Sequence, residues 1–447
     1  MCSKISQAFL IAGTHSGSGK TTITIGLLSA LKERGLRLQS FKAGPDFIDP
    51  GIHGLITGKP GINLDLWLMG EKYVEWVFNK YSSEMDLAVV EGVMGLFDGS
   101  PSTADLATYL GLPVLLVIDT YAMAESLRPV VRGYMEEAKD RGVELAGLIF
   151  NRTGGEEHYK RLKESIKDFG IEVIGHLPRD DQFSIPSRHL GLYRAEESPL
   201  SEGEIKRLTK TVTEFIDIDR LLSKVRLKAS PIHQFTNSPI HPFTNSPIQR
   251  IGIARDRAFS FYYRDMIEGL EDSKAEIVEF SPLNDRKIPE GLNFIYIGGG
   301  YPELYASGLS ENQSMIESIR RWVFEGRPLY AECGGLIYLS KGIYINNTFY
   351  PMAGIFPFIT KMQKRPVIGY RVIENTVKGE FYRGHEFHYS VIEEGENKIK
   401  RIFKVFNKES RYLKDEGFLF KRTLASYVHI HNIMPVIKGL MEDSWTQ

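Results

Sequence analysis

The chain has 447 residues, with 55 Lys and Arg against 56 Asp and Glu, and two cysteines. Its length predicts two or three domains, and a formal charge of −1 leaves no electrostatic case for nucleic acid or an anionic membrane as partner. Cys2 and Cys333 alone exclude a disulfide framework or a cysteine-rich zinc site and fit a reducing cytoplasm. Met1-Cys2-Ser3-Lys4 lacks the apolar core of a signal peptide, and no later run is long enough to span a bilayer, so a cytoplasmic protein is expected.

Gln7 to Ala12 is a compact apolar run that predicts a strand. Gly13-Thr14-His15-Ser16-Gly17-Ser18-Gly19-Lys20-Thr21-Thr22 follows, then a helical pattern from Ile23 to Lys32. Strand, glycine-rich loop and helix in that order predict a P-loop for ATP. Backbone N–H groups of Gly17, Ser18, Gly19 and Thr22 would wrap phosphate, Lys20 would reach the β/γ oxygens, and the Thr21 hydroxyl would ligate Mg²⁺. The strict G-x-x-x-x-G-K-S/T pattern is missed by one place: its first glycine would sit at Thr14, and Gly13 stands one residue too early.

Further apolar runs alternate with helical stretches: Leu36 to Phe41, Leu87 to Glu91, Pro113 to Ile118, Leu145 to Phe150 and Ile171 to Ile174. That alternation predicts a parallel sheet covered on both faces, with the site at the carboxyl ends of its strands. Asp46 and Glu91 stand at two such ends and are expected to serve Mg²⁺, which takes one or two carboxylates beside phosphate oxygens. Asp49 and Asp98 are expected to orient a substrate. Asn151, directly after Gly147 to Phe150, stands where an amide could pair with adenine. Arg188 and His189, in a Pro/Gly-punctuated loop, suit an anionic substrate, because arginine forks onto carboxylates.

His233 to Ile240 and His241 to Ile248 are an octapeptide repeat differing at one position. Repeated Pro, Asn and Ser without a helical or alternating period predict an extended tether. The expected boundaries are 1–228 for a synthetase domain, 229–249 for the linker and 250–447 for a second α/β domain.

In that second domain Arg250 to Ala254, Ala275 to Phe280 and Asn293 to Ile297 predict strands, the last running into Gly298-Gly299-Gly300-Tyr301-Pro302-Glu303. Tyr330-Ala331 closes another apolar run before Glu332-Cys333-Gly334-Gly335, where a helix begins. A cysteine at a strand-to-helix elbow predicts a nucleophile exposed at the sheet edge, its thiolate favoured by the helix N-terminus. Small neighbours leave Gly299, Gly300 and Gly334 to supply N–H groups for an oxyanion. A buried core cysteine is the plainer reading of a free thiol, and two glycines in the turn weigh against it. His429 and His431, two apart and so on one face of a strand, predict a base and its orienter. Arg383-Gly384-His385-Glu386-Phe387-His388-Tyr389 is a rival source of the base.

Taken together, these motifs resemble the cobyrinate a,c-diamide synthase family across nearly the whole chain except the linker. The first half resembles dethiobiotin synthetase-like P-loop ligases, in which the shifted first glycine is usual. The second resembles class I glutamine amidotransferases of flavodoxin-like fold, with Ala331 where their elbow usually begins with Gly. The resemblance selects His429 as base and puts His431 where many amidotransferases carry the triad Glu. It implies two doubly wound α/β domains that act on L-glutamine and a tetrapyrrole polycarboxylate, with ATP and Mg²⁺, as a monomer or homodimer. Cys333 would release ammonia from glutamine, and Mg-ATP would phosphorylate the a- and c-acetate carboxylates that ammonia then amidates. Two other readings are weighed beside it. One is the same chemistry on another tetrapyrrole, such as nickel-sirohydrochlorin or hydrogenobyrinate. The other is a partitioning-type P-loop switch with a non-catalytic C-terminal module, disfavoured because its extra loop lysine is absent at Thr14 and His15.

Overall fold

The computed structural model describes residues 7–180, 201–225, 250–395 and 399–445. Arg188, His189 and the octapeptide repeat lie outside the described residues. The chain divides into two compact units, Met1–Ile240 and His241–Gln447.

The first unit is built on seven strands: β1 (Ala8–Gly13), β2 (Leu38–Ala43), β3 (Ile62–Leu64), β4 (Leu87–Glu91), β5 (Val114–Asp119), β6 (Leu145–Thr153) and β7 (Val173–Pro178). They lie in the order β3-β2-β4-β1-β5-β6-β7, and every pairing is parallel. β1 shows why such strands read as unbroken apolar runs. All six of its residues are buried; Ala8, Leu10 and Ala12 join the core on one face, while Phe9 and Ile11 join the core on the other. The connections run from β1 towards β2 on one side and later cross to β5 on the other. β1 therefore stands at the switch point, where loops diverge and open a crevice.

The second unit has twelve strands: β8 (Arg250–Ala254), β9 (Glu276–Phe280), β10 (Phe294–Ile297), β11 (Leu329–Glu332), β12 (Gly342–Ile345), β13 (Thr348–Pro351), β14 (Ile359–Asn375), β15 (Glu380–Glu393), β16 (Lys400–Asn407), β17 (Tyr412–Phe420), β18 (Thr423–Ser426) and β19 (His429–Ile430). Its centre is parallel, in the order β9-β8-β10-β11-β18, the flavodoxin-like arrangement. Between β11 and β18 the chain adds β12 to β17, which extend the sheet mostly antiparallel. The apolar-run reading does not anticipate this insertion. In β14, Lys361-Met362-Gln363-Lys364-Arg365 carries charge on a largely solvated ribbon, so its strands are set by pairing rather than by burial.

Among the described residues no helix is long and apolar enough to cross a membrane.

Candidate active sites

β1 ends at Gly13 and helix α1 (Lys20–Glu33) begins at Lys20. Its N-cap, Gly19, has φ 95°, and no side chain caps it, which leaves the first-turn N–H groups for a ligand. Gly13 also explains the displaced motif. A Cβ there would stand 2.0 Å from Ser18 Oγ and 3.0 Å from Lys20 Cγ, so both side chains fold over a position only glycine can fill. The lysine Nζ lies 3.3 Å from His15 O, and Thr21 Oγ1 donates to Glu91 Oε1 at 2.7 Å.

Glu91, at the end of β4, is fully buried and is bonded by two further side chains from other elements. Lys42 Nζ, on the adjacent strand β2, is 2.8 Å from its Oε1, and His53 Nε2 is 2.8 Å from its Oε2. Burial alone would push the Glu91 carboxyl up, but Lys42 and His53 hold it well below the carboxylate range. Lys42 also pairs with Asp49 at 2.7 Å; burial favours its neutral form, yet the Asp49, Glu91 and Asp46 charges keep it firmly protonated. His53 is the residue sequence reasoning missed. It stands four residues after Asp49 on helix α2 (Asp49–Thr57), so both reach the same side, a periodicity readable in principle.

Three expectations shift here. Asp49, read as open to substrate, is 3% exposed and ion-paired to Lys42. Asp46 Oδ1 accepts from the N–H groups of Ile48 and Asp49 at 2.8 and 3.2 Å, the turn-capping role of a short carboxylate. Asn151 Nδ2 donates to Ser18 O at 3.0 Å, and a Cβ on Gly19 would collide with it at 2.0 Å. The amide therefore braces the phosphate loop, with one of its two donors committed. Asp98 stays exposed beside the loop, its Oδ2 accepting from Gly95 N at 2.8 Å.

In the second unit, Gly298 follows β10, Cys333 follows β11 and His429 follows β18, three neighbouring parallel strands. Their carboxyl ends gather residues far apart in sequence. Cys333 has φ 47° and ψ −98°, a strained elbow for a residue with a Cβ, and its N–H is held by Ser426 O at 2.8 Å. A Cβ on Gly334 would touch Gly300 N and Pro302 Cδ at 3.0 Å, and one on Gly299 would meet His429 Cε1 at 2.3 Å. The glycine loop is thus pressed between elbow and imidazole.

The thiol departs from expectation. Cys333 is 3% exposed, and its Sγ lies 4.0 Å from Phe387 O. Burial pushes the thiol well up, and the Glu303, Glu332 and Glu386 charges add to this; the N–H at the six-residue helix Gly334–Leu339 is too small a counterweight. The two histidines have different carboxylate neighbours. His431 Nε2 is 3.0 Å from Asp265 Oδ2, whereas His429 Nδ1 is 3.6 Å from Glu332 Oε2. Glu332 is itself fixed by Tyr296 Oη at 2.7 Å, Tyr330 Oη at 2.8 Å and Ile430 N at 2.9 Å. Strand β19 pairs with β15 in a register that sets His385 opposite His429, and their rings stack at 4.9 Å. Burial and its neighbour His429 hold His385 well below its ordinary value.

Residues 9–192 match a family model described as the CobQ/CobB/MinD/ParA nucleotide binding domain, and 250–434 match a CobB/CobQ-like glutamine amidotransferase domain. The chain is 40% identical over 439 residues to the cobyrinate a,c-diamide synthase of Caldanaerobacter subterraneus subsp. tengcongensis, covering 95% of each. It is 41% identical over 440 residues to that of Syntrophotalea carbinolica, covering 94% of this chain and 95% of the other. The chain belongs to the cobyrinate a,c-diamide synthase family. A Methanobrevibacter smithii member is 38% identical over 438 residues, covering 94% and 95%. A solved glutamine amidotransferase matches 44% of this chain and 99% of its own at 17% identity, with a TM-score of 0.33.

Proposed function

We propose that this chain is a glutamine-hydrolysing, ATP-dependent ligase that amidates the a- and c-acetate carboxylates of cobyrinate in cobalamin biosynthesis. The carrying observation is end-to-end likeness to cobyrinate a,c-diamide synthases, in a chain that holds both a phosphate loop and a thiol elbow. The same end-to-end likeness disfavours a partitioning switch with an idle C-terminal half.

In the second unit Cys333 attacks the side-chain amide carbon of glutamine. His429 takes the thiol proton and returns it to the departing nitrogen, so ammonia leaves and a glutamyl thioester remains for water. Glu332, bonded by two tyrosines, holds His429 from the Nδ1 side and stabilises the imidazolium. N–H groups of Gly300 and Gly334 receive the oxyanion, and Gly299 admits the imidazole edge.

In the first unit the open first turn of α1 and Lys20 bind ATP phosphates, and Asn151 keeps the loop in shape. The adjacent Thr21 hydroxyl and Glu91 carboxylate suit Mg²⁺, with Asp46, whose charge acts on Lys42, as a further candidate. Mg-ATP supplies the phosphoryl group that turns a carboxylate oxygen into a leaving group. Lys42 pairs with both Glu91 and Asp49 and so offsets part of the negative charge that phosphate meets on this acidic floor. Asp98, exposed beside the loop, is assigned to orient the tetrapyrrole acid, and Arg188 and His189 are assigned to its carboxylates.

Incubation with ATP, Mg²⁺, cobyrinate and either glutamine or ammonia tests the reading by product mass. Each amidation exchanges OH for NH₂ and lowers the mass by about one unit. Cys333→Ala is expected to lose glutamine-dependent product and keep ammonia-dependent product. Loss of both would assign the cysteine a structural role instead.

A further inference from the structure

The elbow at Cys333 is strained, and a strained backbone persists only where its surroundings hold it. Its N–H donates to Ser426 O at 2.8 Å, so the end of β18 is what holds it. Three residues further on stands His429, the base assigned to that thiol. The short turn Ser426-Tyr427-Val428-His429 therefore carries both the nucleophile's anchor and its partner. One side chain grips this turn. Glu416, on β17, is 1% exposed; its Oε2 accepts from Ser426 Oγ at 2.8 Å and its Oε1 from the Tyr427 N–H at 3.1 Å. Ser426 Oγ accepts in turn from the Val428 N–H at 3.0 Å, which closes the turn on itself. Antiparallel pairing of β17 with β18 brings the carboxylate there. Phe418 faces Ala425, and the same register carried two residues on sets Glu416 against Tyr427. Gly417 beside it takes φ 71°, and a Cβ there would stand 2.5 Å from Phe403 Cγ, so only glycine fits at that place.

Burying a carboxylate is costly unless it is paired and its oxygens are bonded. Glu416 meets both conditions. Lys414 Nζ lies 3.3 Å from its Oε1, and Lys414 is shared with Glu386, which Arg371 also pairs. A fully bonded buried network of this kind is suited to fixing geometry rather than to adding stability. We propose that Glu416 is the positioning residue of the thiol–imidazole pair: by gripping Ser426 and Tyr427 it holds the turn that anchors the Cys333 N–H at one end and presents His429 at the other. The proposal rests on Cys333 being the glutaminase nucleophile. It gives the insertion β12 to β17 a part in the chemistry, since Arg371, Glu386, Lys414 and Glu416 all lie on its strands. The bonds of Glu416 run to Ser426, Tyr427 and Lys414, so it acts through the turn rather than on substrate. A displacement of about 1 Å at either end of that turn is enough to slow the attack.

Steady-state glutamine hydrolysis by the full-length protein tests this through kcat, KM and a double-mutant cycle. Glu416→Gln keeps the side chain's shape but replaces one acceptor oxygen by an amide donor, and Ser426→Ala removes the hydroxyl that the carboxylate grips. Each is expected to lower kcat about 30-fold with KM within about threefold, because the reacting pair is misaligned while glutamine still binds. The two losses are expected not to multiply. The double variant should fall no more than about threefold below the slower single one, since both changes break one contact. Should Glu416→Gln fail to fold, Ser426→Ala alone still decides, because its kcat must fall with KM held. An unaltered kcat in either single variant, a kcat that holds while KM rises, or losses that multiply in the double would overturn the proposal. A Cys333→Ala protein that still hydrolyses glutamine would instead remove the nucleophile assignment beneath it.

Discussion

The two candidate sites share a scaffold and differ in electrostatics. Each is a parallel strand that turns through glycines into a helix: β1 into α1 at Gly19, and β11 into Gly334–Leu339 at Cys333. In the first unit the acidic floor is already bonded, with Lys42 and His53 on Glu91 and Lys42 on Asp49. In the second, burial holds the Cys333 thiol protonated, and the charges of Glu303, Glu332 and Glu386 add to this. The contrast follows from the ligands. A nucleotide arrives as an anion and is better met by carboxylates already paired, whereas the thiol must lose its proton among carboxylates that oppose the loss. Similar elbows therefore serve opposite charge logic.

The sharpest way to break the comparison is Lys20→Ala. It should lower amidation by more than about a thousandfold with either nitrogen donor, because both depend on phosphoryl transfer. Retained turnover with ammonia would detach the phosphate loop from the reaction. Lys42→Met tests the claim that the acidic floor of the first site is already bonded. Removing one partner of a buried ion pair leaves Glu91 and Asp49 exposed to each other, and urea denaturation should register a loss of about 3–5 kcal/mol. An unaltered midpoint would mean that the acidic floor does not need its lysine.

Glu332→Gln sharpens the second site. Glutaminase kcat is expected to fall about a hundredfold with KM within about threefold, since the effect acts on the imidazolium rather than on glutamine binding. An unchanged kcat in Glu332→Gln beside a comparable loss on altering His431 would restore that histidine as orienter. The smallest effect concerns stability. The folded protein holds Glu303 more protonated than an unfolded Glu at 4.5, so its contribution is favourable at low pH and is lost as pH rises from 4.5 towards 7. Glu303→Gln should therefore unfold at a higher temperature than wild type at pH 8, with the gap closing near pH 4. A gap that stays constant with pH would show that the carboxyl is not responsible.

The parallel strands and the glycine turns were legible in the amino-acid order because both are local. β4 is found where Leu87 to Glu91 predicts it, and β8 where Arg250 to Ala254 does, since strands buried on both faces must be continuously apolar. The P-loop, with Lys20 and Thr21, is contiguous, so its chemistry is written in ten consecutive residues. The insertion β12 to β17 was not legible, because half-solvated ribbons owe their strands to partners rather than to composition.

What the chain's order determined by itself, then, was the pair of α/β units, the phosphate loop and the thiol elbow, each specified by neighbours in sequence. Which groups meet was decided only by the tertiary structure. Glu332 instead of His431 beside His429, Lys42 and His53 on Glu91, Asn151 against Ser18 and burial of the Cys333 thiol all depend on strand order and register. Charges tune one another through space at a few ångströms, and sequence separation says nothing about that distance until the sheet is assembled.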